Sequence, residues 1–231
     1  MRRFYFILLI CLSFVTVQAT ENLRRPPKMR GINAEKPHEM GLETDVYIEY
    51  APVQPLTLFL GEELYLSNFL TPDMPIYDAF YTSIGANYTP HKNITLTAAY
   101  EFQYLAGDEM RHRLKLMVIP KVSFGDFTLA LRERVHLTYS MTDQSIAWQL
   151  RSRLKLDYAI PNTPLVPNVY VELYNPLEKS PASWYSSMSY AVGLDWLIDD
   201  NNVLGIFYDF SHSPDSFYHL FGVVYVWGHY K

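Results

Sequence analysis

Cysteine is almost absent from the 231 residues: Cys11 stands alone, inside an N-terminal apolar run. The chain opens Met1-Arg2-Arg3, runs apolar from Phe4 to Val17 and reaches Val17-Gln18-Ala19. That order predicts a secretory signal peptide over residues 1–19. Ile10 precedes the cysteine where a lipoprotein signal needs a small residue. Cleavage after Ala19 leaves no thiol, which excludes disulfides and thiol chemistry from the exported chain. No other apolar run approaches the length of a membrane-spanning helix. Helical periodicity is missing throughout, as are an internal repeat beyond the hairpin and a second domain. His91, His112 and His136 have no metal-ligand spacing and no His-Glu-x-x-His occurs, so neither metal nor cofactor is expected. The formal charge is −5, and removing Arg2 and Arg3 gives −5 − 2 = −7, which argues against nucleic acid as a partner.

What the chain has is alternation. In Leu150–Tyr158, Leu150, Leu154, Leu156 and Tyr158 fall on one face of an extended strand; Arg151, Arg153, Lys155 and Asp157 fall on the other. Pro161-Asn162-Thr163-Pro164 makes a turn, and a second alternating strand follows. The same design predicts strands over 45–50, 56–66, 76–88, 93–104, 110–119, 125–139, 146–158, 166–174, 184–197, 203–210 and 217–227. Residues 20–42 are polar and proline-containing, with Arg24, Arg25, Lys28 and Arg30, and are expected to form a flexible lead before a single domain over 43–231. Glu133 breaks the pattern by falling on an apolar face, which a β-bulge would repair.

Alternation does not say which face is buried. Three features favour a barrel that turns its apolar face to lipid. Several strands exceed the five or six residues typical of soluble sheets. Tyrosine is abundant, with 19 residues, and aromatics such as Tyr50, Tyr88, Tyr104, Tyr139, Trp184, Trp196 and Trp227 fall near strand ends, where interfacial girdles belong. The end of the chain places Gly222, Tyr225 and Trp227 in a pattern that resembles the assembly signal of bacterial outer-membrane barrels. Leu220 and the four residues after Trp227 depart from it. The expected architecture is all-β: an antiparallel up-and-down transmembrane β-barrel of about 10–12 strands. Ten strands from Leu56 make an even set, and 45–50 is left over, starting on the wrong side.

At LALRERVHLTYS (129–140), LRSRLKLDYAIP (150–161) and VELYNPLE (171–178) the chain resembles a Bacteroidetes outer-membrane β-barrel family catalogued as a domain of unknown function. Pro167, Glu172, Leu173, Tyr174 and Asn175 match its third motif. The resemblance implies an outer-membrane location, with membrane lipid and the barrel-assembly machinery as partners. It brings no catalytic residue.

The candidate site is a basic lattice on three consecutive strands: Arg111, Arg113 and Lys115; Arg132, Arg134 and His136; Arg151, Arg153 and Lys155. It is either a positive wall that draws anions or small solutes through a pore, or an internal ion-pair network with Glu101, Asp157, Glu172 and Asp195, joined by Glu49 and Glu63. The network is the favoured reading. His212, between Ser211 and Ser213 with Asp215 near, carries the residue types of a hydrolytic triad, but neighbours in one loop seldom achieve its geometry. The expected function is a small outer-membrane barrel in envelope structure, small-solute passage or partner interaction, not an enzyme. An outer-membrane hydrolase based on His212 or His136, and a soluble periplasmic barrel binding an apolar ligand, are the alternatives.

Overall fold

The computed structural model describes residues 38–67, 76–177, 186–214 and 216–230. The signal segment, residues 20–37 of the lead, Trp184 and Asp215 lie outside them. The strands in chain order are β1 (His38–Val53), β2 (Leu56–Ser67), β3 (Ile76–His91), β4 (Ile94–Leu105), β5 (Glu109–Phe124), β6 (Phe127–Ser140), β7 (Ile146–Tyr158), β8 (Leu165–Pro176), β9 (Ser187–Asp199), β10 (Asn202–His212) and β11 (Phe217–Tyr230). Each pairs with its sequence neighbours, and β1 pairs with β11, so the sheet closes into a barrel with no free edge. Closure satisfies every ladder group internally, which is the condition for strands to cross lipid.

Ten of the pairings are antiparallel hairpins. The eleventh is not: β1 and β11 run parallel, from His38 opposite Phe217 to Ala51 opposite Tyr230. An odd strand count forces this, and it departs from the even number usual in single-chain bacterial barrels. The segment that the alternation left over is therefore a full strand. It begins at His38, so residues 38–42 belong to the barrel and not to the lead. Described β9 starts at Ser187.

One end of the barrel is built from tight turns. Lys92-Asn93, Gly125-Asp126 and Asp200-Asn201 each join two strands. Asn, Asp and Gly tolerate the backbone that two-residue hairpins need, and Gly125 has φ of 59°. Residues 159–164 turn at the same end. The connections 106–108 and 141–145 lie at the other.

Burial is inverted relative to a soluble protein. The buried apolar residues are Ala51, Ala79, Ala99 and Ala191, whereas Glu101, Gln103, His136 and Glu172 are among the most enclosed side chains. Leu116 is 62% exposed, Ile84 60% and Val192 56%. In β4 the residues of one parity, Ile94, Leu96 and Tyr100, face outward, and Thr97, Ala99, Glu101 and Gln103 face inward. A soluble barrel would lose its apolar burial in this arrangement; a membrane barrel gains it from lipid. Among the described residues no helix is long and apolar enough to cross a membrane. The strands, 11 to 16 residues long, exceed the roughly nine needed. Tyr50, Tyr88, Tyr139, Trp148 and Trp196 are exposed near strand ends, as girdle residues should be.

Glu133 stays on the outward face. The β5–β6 ladder keeps one register on both sides of it, so no bulge turns it inward. Its carboxylate instead accepts a hydrogen bond from Ser152 Oγ at 2.7 Å. Gly222 faces the interior under the ring of Phe207, its partner across the β10–β11 ladder, and any Cβ there would overlap that ring.

Candidate functional site: the charged lumen

Register brings the basic residues together in an unfavourable way. Across β6 and β7, Arg132 sits opposite Arg153 and Arg134 opposite Arg151. Like charges directly across a ladder repel, so two arginine rungs in succession need a counterion. Glu172 of β8 supplies it, from its place opposite Arg153. Its Oε1 accepts from Arg132 Nη2 at 2.7 Å and Arg151 Nε at 3.1 Å. Its Oε2 accepts from Arg151 Nη2 at 2.7 Å and Arg153 Nη2 at 2.6 Å. Arg134 Nη2 stands at 3.7 Å. Glu172 is fully buried beneath these groups. Two tyrosines of the same strand support them: the Arg151 guanidinium lies 4.1 Å from the Tyr174 ring centroid and that of Arg153 lies 3.8 Å from Tyr170. Stacking fixes the planes of both guanidiniums.

The second node is Glu101 of β4, also fully buried. Arg113 Nη1 donates to it at 3.1 Å, Lys115 contacts it directly, and Gln103 Nε2 donates at 2.6 Å. Lys115 also reaches Glu63 of β2 at 3.9 Å. The third is smaller. Lys155 pairs with Asp157 at 2.8 Å and reaches Asp195 at 3.7 Å, and Asn168 donates to Asp195 at 3.1 Å. Arg111 pairs with Glu109 at 2.6 Å, near the end of the barrel. His136 is 2% exposed, and neither ring nitrogen has a hydrogen-bond partner. The lattice residues other than Arg111 thus line one cavity, and their ion pairs fall into three groups, around Glu172, Glu101 and Asp195.

Of a second wall the sequence had pointed only to Glu63. Glu43 and Asp45 of β1 and Glu63 of β2 bring one oxygen each within 4.8 Å of one another, an arrangement that could ligate a hard cation. Tyr65 Oη donates to Glu43 at 2.6 Å, and Tyr47 Oη donates to Glu63 at 2.6 Å. Asp45 is 7% exposed, and its Oδ1 has no partner. The missed signal was the parity of β1: Gly41, Glu43, Asp45, Tyr47 and Glu49 share one face. A strand begun at Asp45 hides half of it. Further round, Tyr170 Oη donates to Asp209 at 2.8 Å, and Ser211 Oγ donates to the same carboxylate at 2.8 Å. Both walls line one cavity of about 620 Å³.

The hydrolase alternative finds no geometry. Ser211 points inward to Asp209 and Ser189. His212, the next residue of the strand, points to the other face, its ring 5.5 Å from that of Phe217. Asp215 lies outside the described residues.

A family model described as "Protein of unknown function (DUF2490)" matches residues 70–215. No curated protein matches the chain. Among solved structures, the NanC porin aligns with TM-score 0.52 at 10% identity, covering 78% of this chain and 89% of its own. A bacterial polysaccharide outer membrane secretin gives 0.48 at 8%, covering 73% and 62%. OccK11 (OpdR) of Pseudomonas aeruginosa gives 0.34 at 14%, covering 71% and 52%. The chain thus spans less than two thirds of the secretin and about half of OccK11. The NanC likeness shows a shared barrel fold and nothing finer.

Proposed function

The chain belongs to the DUF2490 family, whose function is unassigned, and we propose from its geometry that it is an outer-membrane channel passing small polar solutes through a charge-lined lumen. The observation that carries this is the polar cavity of about 620 Å³ enclosed by a barrel that turns most of its large apolar side chains outward. A structural barrel needs no interior room; this one keeps enough for several waters or a small solute. The same inversion and the N-terminal export pattern support an outer-membrane location. Membrane lipid and the assembly machinery are then its partners, with Gly222, Tyr225 and Trp227 as the recognised element.

Charge balance decides the selectivity expected of it. Seven lysines and arginines and six carboxylates line the cavity, and Glu172 behind them makes the balance 7 − (6 + 1) = 0. A lumen with no net charge has little reason to sort ions by sign over its whole length. The basic lattice therefore acts first as the ion-pair network that fixes the cross-section, and anion preference is modest. The test is conductance of the refolded protein in a planar bilayer, with reversal potential under a salt gradient. Discrete steps with a permeability ratio within a few-fold of unity support the reading. Silence from protein shown to be inserted overturns the channel and leaves a filled, structural barrel.

A further inference from the structure

The charges are balanced in number but segregated in space. β1 and β2, which carry Glu43, Asp45 and Glu63, lie four or five strands from β6 and β7 in an eleven-strand ring, so the two walls face each other across the lumen. They are close: Glu43 is within electrostatic reach of Arg151 and Arg153. Neither wall is saturated. Of the three carboxylates on one side only Glu63 is within ion-pair distance of a cation, Lys115 at 3.9 Å, which it shares with Glu101, and Asp45 keeps an unpartnered oxygen. On the other side the guanidiniums of Arg132, Arg151 and Arg153 carry about fifteen N–H donors against roughly four lone-pair sites on Glu172. These three side chains remain about one-fifth exposed to the cavity. The tyrosines beneath two of them hold the guanidinium planes, so the surplus donors keep their direction.

We infer that this cavity binds zwitterionic solutes, amino acids or short peptides, with the ammonium on the Glu43–Asp45–Glu63 wall and the carboxylate on the Arg132–Arg151–Arg153 wall. The inference deepens the channel reading and rests on it for the solute's passage. A lone anion satisfies one wall and is repelled by the other; a lone cation does the reverse. A solute carrying both charges meets unmet acceptors and unmet donors together. The lattice around Glu172 needs no rearrangement for this, because the donors used are those Glu172 leaves over.

The test is titration calorimetry of the detergent-solubilised barrel with three forms of one probe: free triglycine, N-acetyltriglycine and triglycine amide. The zwitterion is expected to bind at least tenfold more tightly than either capped form. Asp45→Asn should lower affinity for triglycine and for the amide, and leave the N-acetyl form unchanged or slightly tighter. Arg132→Gln should weaken triglycine and the N-acetyl form and spare the amide. Equal binding of all three forms, an N-acetyl form as tight as the zwitterion, or no binding at millimolar concentration overturns the inference. Binding does not depend on conduction, so a silent bilayer with selective calorimetry fails the channel alone. A conducting bilayer without selectivity fails this inference alone.

Discussion

Glu172→Gln is the most severe single test of the interior. The substitution keeps shape and removes one negative charge from a site where four arginines converge. The local formal charge rises from +4 − 1 = +3 to +4. Two arginine rungs are left opposite each other with a neutral acceptor that donates as well as accepts. Removing one partner of a buried ion pair costs about 3–5 kcal/mol, a sizeable part of the 5–15 kcal/mol that holds most domains together. The assay is reversible guanidinium unfolding of micelle- or vesicle-bound protein. With a slope of about 4 kcal/mol per M, the midpoint should fall by about 1 M. Arg134 supplies the control. It is the most distant of the four and its Nε is buried without a partner, so Arg134→Met alone should stay within about 1 kcal/mol of the parent. In the Glu172→Gln background it should restore at least ~1 kcal/mol relative to additivity. A Glu172→Gln midpoint unchanged within about 0.5 kcal/mol, or strict additivity in the double variant, refutes the claim that one carboxylate holds the lattice together.

Leu116→Arg should cost about 2–4 kcal/mol of folding stability in vesicles, because Leu116 projects from the outward face; a neutral result by the same unfolding assay would favour a barrel surrounded by water. Glu133→Gln keeps a partner for Ser152 and removes a lipid-side charge, so the same assay should show it stabilised by less than about 2 kcal/mol. Gly222→Ala forces the Phe207 ring aside and should lower stability by about 1–3 kcal/mol, read as loss of the heat-resistant folded band on a denaturing gel.

The sequence located each strand and its faces because lipid and lumen impose the sharpest period-two pattern available to a chain. Leu150, Leu154 and Leu156 could not share a face with Arg151, Arg153 and Lys155. It was less informative about contacts between strands. Glu172 was visible as the acidic residue of its strand's polar face, but its capture of four arginines depends on a register set by hairpin geometry, which parity does not encode. The β1–β11 pairing was invisible for a related reason: parallel and antiparallel strands share the same alternation. Glu43 was lost through a strand boundary placed too late, since Gly41 and the polar residues around it resemble the end of a lead, and Asp45, left at the very start of the strand, was given no part in the lumen. Glu133 showed the opposite failure, in which a true outward carboxylate invited a bulge to explain it away.

The parallel seam also says something about time. Every other pair joins strands that are neighbours in sequence, and each can form as soon as its turn closes. The seam joins His38–Ala51 to Phe217–Tyr230, so its two halves are separated by most of the chain. Bringing such distant ends together costs about 4–5 kcal/mol of loop entropy if nothing else is ordered, and parallel ladders recover slightly less per residue. Ten hairpin pairings formed first remove most of that cost by delivering β1 and β11 to one another. Assembly should therefore pass through a curled, open sheet that zips shut at this one line, and the same line should be the first to part and exchange its amide protons when the barrel breathes.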